Sequence, residues 1–266
     1  MDSAITNPLL AKIKLPGRVF KLPSGGHLYQ NGELGPNVAN GEVHVHPLSA
    51  IAEIKLKNID MLFSGRAIDE VFAECIPDIK KPNELFGKDV DALMVFLRVA
   101  TYGSKFSVDA EHNCEKAESH SYEVDLDEFV KNIRELDPTT INEQSTVTIS
   151  TGQSVKLEPL RYKNLVELMQ RSAQGGLDSE TSVEDIQDNI LKNLCSIIYS
   201  VDNVTDKAMI GEWARYLSTK DVNLIGSAIE NASAWGTQQQ VTLTCKDCGQ
   251  PFQVDLPTNP IVFFSE

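Results

Sequence analysis

The sequence predicts an α+β fold: an α-helical body, a small zinc-ribbon-like β module built from two sequence-distant half-knuckles, and an extended N-terminal arm. Three observations carry this reading. Apolar residues recur at helical spacing between residues 48 and 103 and again between 160 and 235. A Cys245-Lys246-Asp247-Cys248-Gly249 turn lies between two strand-like runs, with a partial copy around Cys114. Residues 1–47 are rich in Pro and Gly and carry little helical periodicity. The boundaries that follow are 1–47 for the arm, 48–103 with 160–235 for the helical body, and 104–159 with 236–266 for the β module.

Within the arm, Val19-Phe20-Lys21-Leu22 alternates like a strand and closes on Gly25-Gly26. Gly41 to His46 is a second extended run, stopped by Pro47. His44 and His46 share one strand face, a metal-capable pair that reads more simply as an exposed face. Such a segment makes a poor core of its own and is suited to lying along a neighbour, within the chain or in another subunit. The helical pattern begins after Pro47. Ser49 is placed to cap a run with Ile51, Ile54, Ile59 and Leu62, and Ser64 to cap one with Ile68, Val71, Phe72 and Cys75. Cys75 falls among those apolar residues and reads as a core thiol. Asp89 then caps an almost uninterrupted apolar run to Thr101, the expected central buried helix, ended by Tyr102-Gly103.

Leu126 to Leu136 reads as a short acidic amphipathic helix, and Ser145 to Leu157 as a hairpin around Gly152. Leu160 to Arg171 is helical, and residues 174–182 form the best internal linker. Three more helices are expected over 183–198, 206–217 capped by Thr205, and 221–234. Cys195 lies beside the apolar stripe of the first of these. Val241 to Thr244 leads as a strand into the knuckle, and Pro260 to Phe264 reads as an apolar final strand.

The knuckle carries the chemistry. Cys-x-x-Cys-Gly lets two thiolates point at one ion while the glycine turns the chain behind them. Both halves run from a cysteine through a polar turn to an aromatic-x-Val-Asp-Leu segment: Tyr122 to Leu126 in the first, Phe252 to Leu256 in the second. The first copy has Ala117 where a partner thiol would sit. A tetrahedral structural zinc site would therefore take Cys114, Cys245, Cys248 and a fourth ligand, His120 or His112. The alternative is a lone thiol pair in a tight turn. A redox role for the pair is disfavoured, since no βαβ pattern surrounds it and Asp247 is adjacent.

Composition narrows the function classes. With 38 acidic against 24 basic residues the net charge is −14, which argues against direct nucleic-acid binding. No apolar run approaches a membrane span, and the first residues lack a signal peptide's regions. Five cysteines with one close pair suit a reducing compartment. There is no nucleophile elbow, phosphate loop, dinucleotide fingerprint or His-Glu-x-x-His, so the residues make no case for an enzyme.

Several stretches taken in order are similar to a known family. They are Leu15-Pro16-Gly17-Arg18 with Leu22-Pro23-Ser24-Gly25-Gly26, Gly41 to Leu48, Asp60 to Ile68, Glu74-Cys75-Ile76-Pro77 and Val99 to Gly103. The sequence resembles the baseplate hub and hub-assembly proteins of T4-like contractile-tailed bacteriophages, most clearly over residues 15–126. The resemblance implies a virion protein of the tail baseplate, assembled in the host cytoplasm in multiple copies and acting by binding other baseplate and tail proteins. A chaperone that leaves the assembled particle is the first alternative. A zinc-ribbon adaptor, for transcription, is the second, and a metalloenzyme the third.

Overall fold

The computed structural model describes residues 16–29, 31–114, 118–139, 145–174, 191–257 and 260–265. Its centre is a helix running Gly87–Tyr102, α4 in chain order, which is buried on nearly every side: Leu93, Phe96 and Leu97 are inaccessible. An apolar stripe that wide needs neighbours all round, and the flanking elements supply them. Phe86, not Asp89, holds the cap position. Asp89 sits in the first turn, wholly buried, where it accepts the Ser24 N–H (2.9 Å) and the Tyr29 hydroxyl (2.7 Å). Its carboxylate is therefore committed to another segment and does not bond its own helix end. The helix stops at Gly103, whose φ of +86° ends it without the steric cost a side chain would bring.

Over its described part, the arm's two extended runs pair and lie along a neighbour within the chain. Strand β1 (Arg18–Lys21) pairs antiparallel with β2 (Glu42–Val45), and the pair lies on α4. Phe20 stacks on Phe96 with ring centroids 4.5 Å apart, and Leu22, Val43 and Val45 are fully buried. The strand alternation provides one apolar face, and α4 is the neighbour that covers it. Residues 1–15 lie outside the described residues.

Three short helices follow: α1 (Ala50–Leu56) capped by Ser49, α2 (Ile59–Phe63) capped by Asn58, and α3 (Arg66–Cys75), entered through Gly65 where Ser64 was expected as cap. Helix α3 buries Ile68, Val71, Phe72 and Cys75 as its spacing predicts. Helix α1 does not follow its spacing. It buries Ala52 and Leu56, leaving Ile51 67% and Ile54 68% exposed, with Ile59 of α2 at 69%. The α1–α2 break at Lys57-Asn58 ends the continuous helix on which those isoleucines would have shared a buried face.

Strands β3 (Lys105–Glu111) and β4 (Ser119–Asp125) form one antiparallel hairpin, followed by α5 (Leu126–Lys131), shorter than the expected helix. Strands β8 (Gln240–Thr244) and β9 (Pro251–Asp255) form a second hairpin. Leu243 and Leu256 join the same core as α4. Residues 260–264 are not a strand: Pro260–Phe263 is a helical turn, here α9, started by a proline suited to a first helical position. Phe263 and Phe264 are fully buried, and the buried Arg98 of α4 donates to the Phe263 carbonyl at 2.5 Å.

The remaining segments divide differently from the predicted bodies. Helix α6 (Tyr162–Gln174) docks on the first body, with Arg161 bonded to Glu158 at 2.6 Å and to the buried Glu33 at 3.3 Å. The hairpin β5 (Thr146–Thr148) and β6 (Ser154–Leu157) takes β7 (Ile198–Val201) as a third strand. That strand occupies residues expected to end a helix; residues 191–197 before it are helical, and 183–190 lie outside the described residues. With α7 (Lys207–Ala214) and α8 (Thr219–Ala232) these strands enclose a second core around Val155, Ile198 and Ile225. Asp206 caps α7 where Thr205 was expected, and Ser218 caps α8. Phe86, Leu136, Ala232 and Trp235 form a small apolar junction.

Candidate metal centre

The two hairpins are structural copies. Leu126 N–H donates to the Ser104 carbonyl in the first, and Leu256 N–H to the Gln239 carbonyl in the second (both 2.7 Å). Val124 faces Phe106 across the first ladder as Val254 faces Val241 across the second. Each ladder opens at its far end into a knuckle. In the second, Cys245 N–H donates to Gln250 O (2.9 Å) and Gly249 N–H to Cys245 O (3.0 Å), with Gly249 at φ +71°. That left-handed position is what lets the chain return to β9 immediately after Cys248.

The knuckles meet. One ligand atom from each of His112, Cys114, Cys245 and Cys248 lies within 4.8 Å of every other. Cys248 Sγ is 3.3 Å from His112 Nδ1. A tetrahedral zinc with ordinary bond lengths holds its ligand atoms about 3.5–3.8 Å apart, so this spacing needs only a small contraction. Backbone N–H groups surround the sulfurs as they would a thiolate. The Cys248 N–H, followed by that of Asp247, holds the Cys245 thiol down to about 6 against the opposing effect of burial. For Cys248 the Gln250 N–H favours the thiolate, but desolvation and the Cys245 and Cys114 sulfurs push its thiol up.

The structure separates the two histidines that the sequence left as alternatives. His112 lies just past the end of β3 and enters the thiol cluster, its ring 4.9 Å from that of Phe252. His120 lies within β4 opposite Ala110 and bonds Asp247 Oδ2 at 2.8 Å, with Glu118 beside them. Asp247 thus directs its carboxylate to His120 and its N–H to Cys245. Two supporting residues were not assigned to the site from the sequence. Tyr122 accepts the Lys246 N–H at its hydroxyl (3.3 Å) and stands edge-on to Phe252. Lys246 reaches the Ser121 carbonyl at 2.6 Å. The aromatic of the repeated segment was the signal for Tyr122 and Phe252.

The other candidates lie apart from this cluster. His44 Nδ1 is 2.9 Å from Asp78 Oδ2 on the exposed side of β2, and His46 packs beside Gly17. Burial pushes the Cys75 thiol up to about 12. Cys195 is half-buried near Lys207, its thiol also raised by burial.

The fold and site define a class: an α+β protein whose two half-knuckles, far apart in sequence, close a Cys/His cluster against a mostly helical core. The sequence matches the family described as T4 bacteriophage base plate protein over residues 48–264, a span that contains both knuckles and most of the principal core. The chain belongs to that family, and its place is in the tail baseplate of the phage particle as a structural protein. No curated protein and no solved structure matches it. No helix among the described residues is long and apolar enough to cross a membrane.

Proposed function

We propose that this chain is a resident part of the baseplate hub or inner baseplate, present in several copies, which works by binding neighbouring tail proteins. The observation that carries the reading is the family match across residues 48–264. Net charge −14 favours protein neighbours over direct contact with nucleic acid.

The reading includes a structural zinc held by His112, Cys114, Cys245 and Cys248. Three thiols and an imidazole are a donor set zinc accepts, and four protein donors close its shell. No position is then left for a substrate, so the centre serves the fold and not turnover. The glutamate–histidine–aspartate group beside it, with His120 bonded to Asp247, acts as a lateral brace between the knuckles.

Quantitative mass spectrometry of purified particles tests residence. A fixed ratio of a few copies to known tail proteins is expected. Presence in infected cells with absence from particles would transfer the protein to the assembly chaperones.

A further inference from the structure

The groove between the two hairpins carries an inference of its own. Among the described residues, β4 and β8 each have a strand partner on one side only. Hydrogen-bonded pairs recur at every second residue of an antiparallel ladder. The bonds from Leu126 N–H to Ser104 and from Leu256 N–H to Gln239 fix that parity in each hairpin. Glu123 of β4, and Gln240 and Thr242 of β8, therefore turn their backbone N–H and C=O groups away from their partner strands, as Asp125 does its N–H, its carbonyl being taken by the first turn of α5. Ser121 has the same parity, and its outward carbonyl is the one that accepts from Lys246 Nζ. Glu123, Asp125, Gln240 and Thr242 line a single cavity of about 600 Å³. Two open sheet edges thus border one groove.

The walls have a definite chemistry. Glu123, Asp125 and Glu128 place three carboxylates along the groove, Glu123 also pairing with Lys105 of β3 at 2.9 Å and Asp125 accepting the Asp127 N–H, while Val241 and Phe129 supply apolar surface. Arg134 lies at one end, beside the Gln238 amide. Lys246 bridges to Ser121 towards the knuckles.

We propose that this groove receives an extended segment of a neighbouring protein, alternating basic and apolar residues, as an added strand between β4 and β8. An extended chain satisfies outward backbone groups on both walls, which an unpaired edge leaves to water. Its alternation sends one set of side chains to the carboxylates and the other to Val241 and Phe129. The inference deepens the protein-binding reading above. Because it is read on the isolated chain, its failure would leave the particle measurement unaffected.

The test uses the full chain and a short fluorescent peptide alternating lysine with isoleucine, with a glutamate–isoleucine peptide as its opposite. Saturable binding of the basic peptide alone is expected. Thr242→Pro removes an outward N–H without touching the β8–β9 ladder and should weaken binding at least about tenfold. Glu128→Lys, on the exposed side of α5, should weaken it several-fold by charge alone and serves as the second variant if Thr242→Pro misfolds. Absence of binding, equal binding of the acidic peptide, or affinity unchanged in both variants overturns the proposal. So does binding that emerges only after deletion of residues 1–15, because Lys12-Ile13-Lys14-Leu15 carries the same alternation and would then be the occupant.

Discussion

Asp89 fastens the turn after β1 to the central helix, through the Ser24 amide and the Tyr29 hydroxyl. Burial pushes its carboxyl up to about 6 from 3.8, with those two hydrogen bonds opposing the rise. The folded state therefore holds this proton where the unfolded chain has released it. Asp89's contribution to stability is fully present below pH 4 and is lost as the pH rises through 6. About two pK steps at ~1.4 kcal/mol each amount to roughly 3 kcal/mol. Asp89→Asn should abolish that part of the pH dependence, so the stability difference between wild type and variant, by urea titration, should shift across pH 4–6 and flatten above it. A difference that does not change with pH would show that the carboxyl titrates normally. At the metal centre the residue-scale prediction is a contrast: His112→Ala should lower bound zinc, by elemental analysis, well below one per chain, while His120→Ala should retain it. The thiol pair was legible because Cys-x-x-Cys-Gly has few other uses. The choice of histidine was not, since it depends on where β3 ends, and strand ends follow from pairing and not from composition.

At the scale of elements, the repeated Val-Asp-Leu segment was the most dependable signal. Leu126 and Leu256 leave their strands at equivalent points, bond equivalent carbonyls and are both buried. Leu126→Ala and Leu256→Ala should each cost about 2–5 kcal/mol, as large-to-small changes in a packed core do. Ile54→Ser should stay within about 0.5 kcal/mol, because that side chain is already in water. Equal losses at Leu256 and Ile54 in thermal unfolding would contradict the orientation of α1. Spacing alone misled at α1, where a seven-residue helix is turned by what packs on it: α1 lies against α3, and Ala52 and Leu56 are the residues it buries in the principal core. It misled again at Pro260–Phe263, since a short apolar run has no period to distinguish strand from helix. The β5–β6 hairpin was legible from its alternation and glycine turn. That it recruits β7 was not, since the pairing joins residues about forty positions apart.

For the molecule as a whole, the sequence marked most helical and extended segments, Pro260–Phe263 and Ile198–Val201 excepted, but not how they divide between two cores. Apolar stripes state how much surface must be covered and are silent on which partner covers it. Hence α7 and most of α8 close on the β5–β7 sheet, while the end of α8, at Ala232, packs with Phe86 at the start of α4. The knuckles tie residues 112–114 to 245–248, so loading a metal there closes a very long loop. Apparent zinc-site energies of about 10–16 kcal/mol rival the stability of an entire domain. Chelation should therefore lower the midpoint of thermal unfolding substantially, and Cys248→Ser should make the protein indifferent to the chelator. A wild type equally indifferent would remove the metal from the account of stability.

The placement of β8, β9 and α9 has a consequence for synthesis. These elements emerge from the ribosome after residues 48–232, yet Leu243, Leu256, Phe263 and Phe264 belong to the core that those earlier residues begin. A nascent chain halted before residue 240 leaves α4 with an uncovered face, Arg98 without the Phe263 carbonyl, and two of the four metal donors unmade. The principal core is thus complete only once residues 240–264 have been made. This works as an inspection step: a fragment lacking residues 240–264 carries sticky apolar surface that chaperones and proteases recognise, and it is removed before it can dock on other proteins.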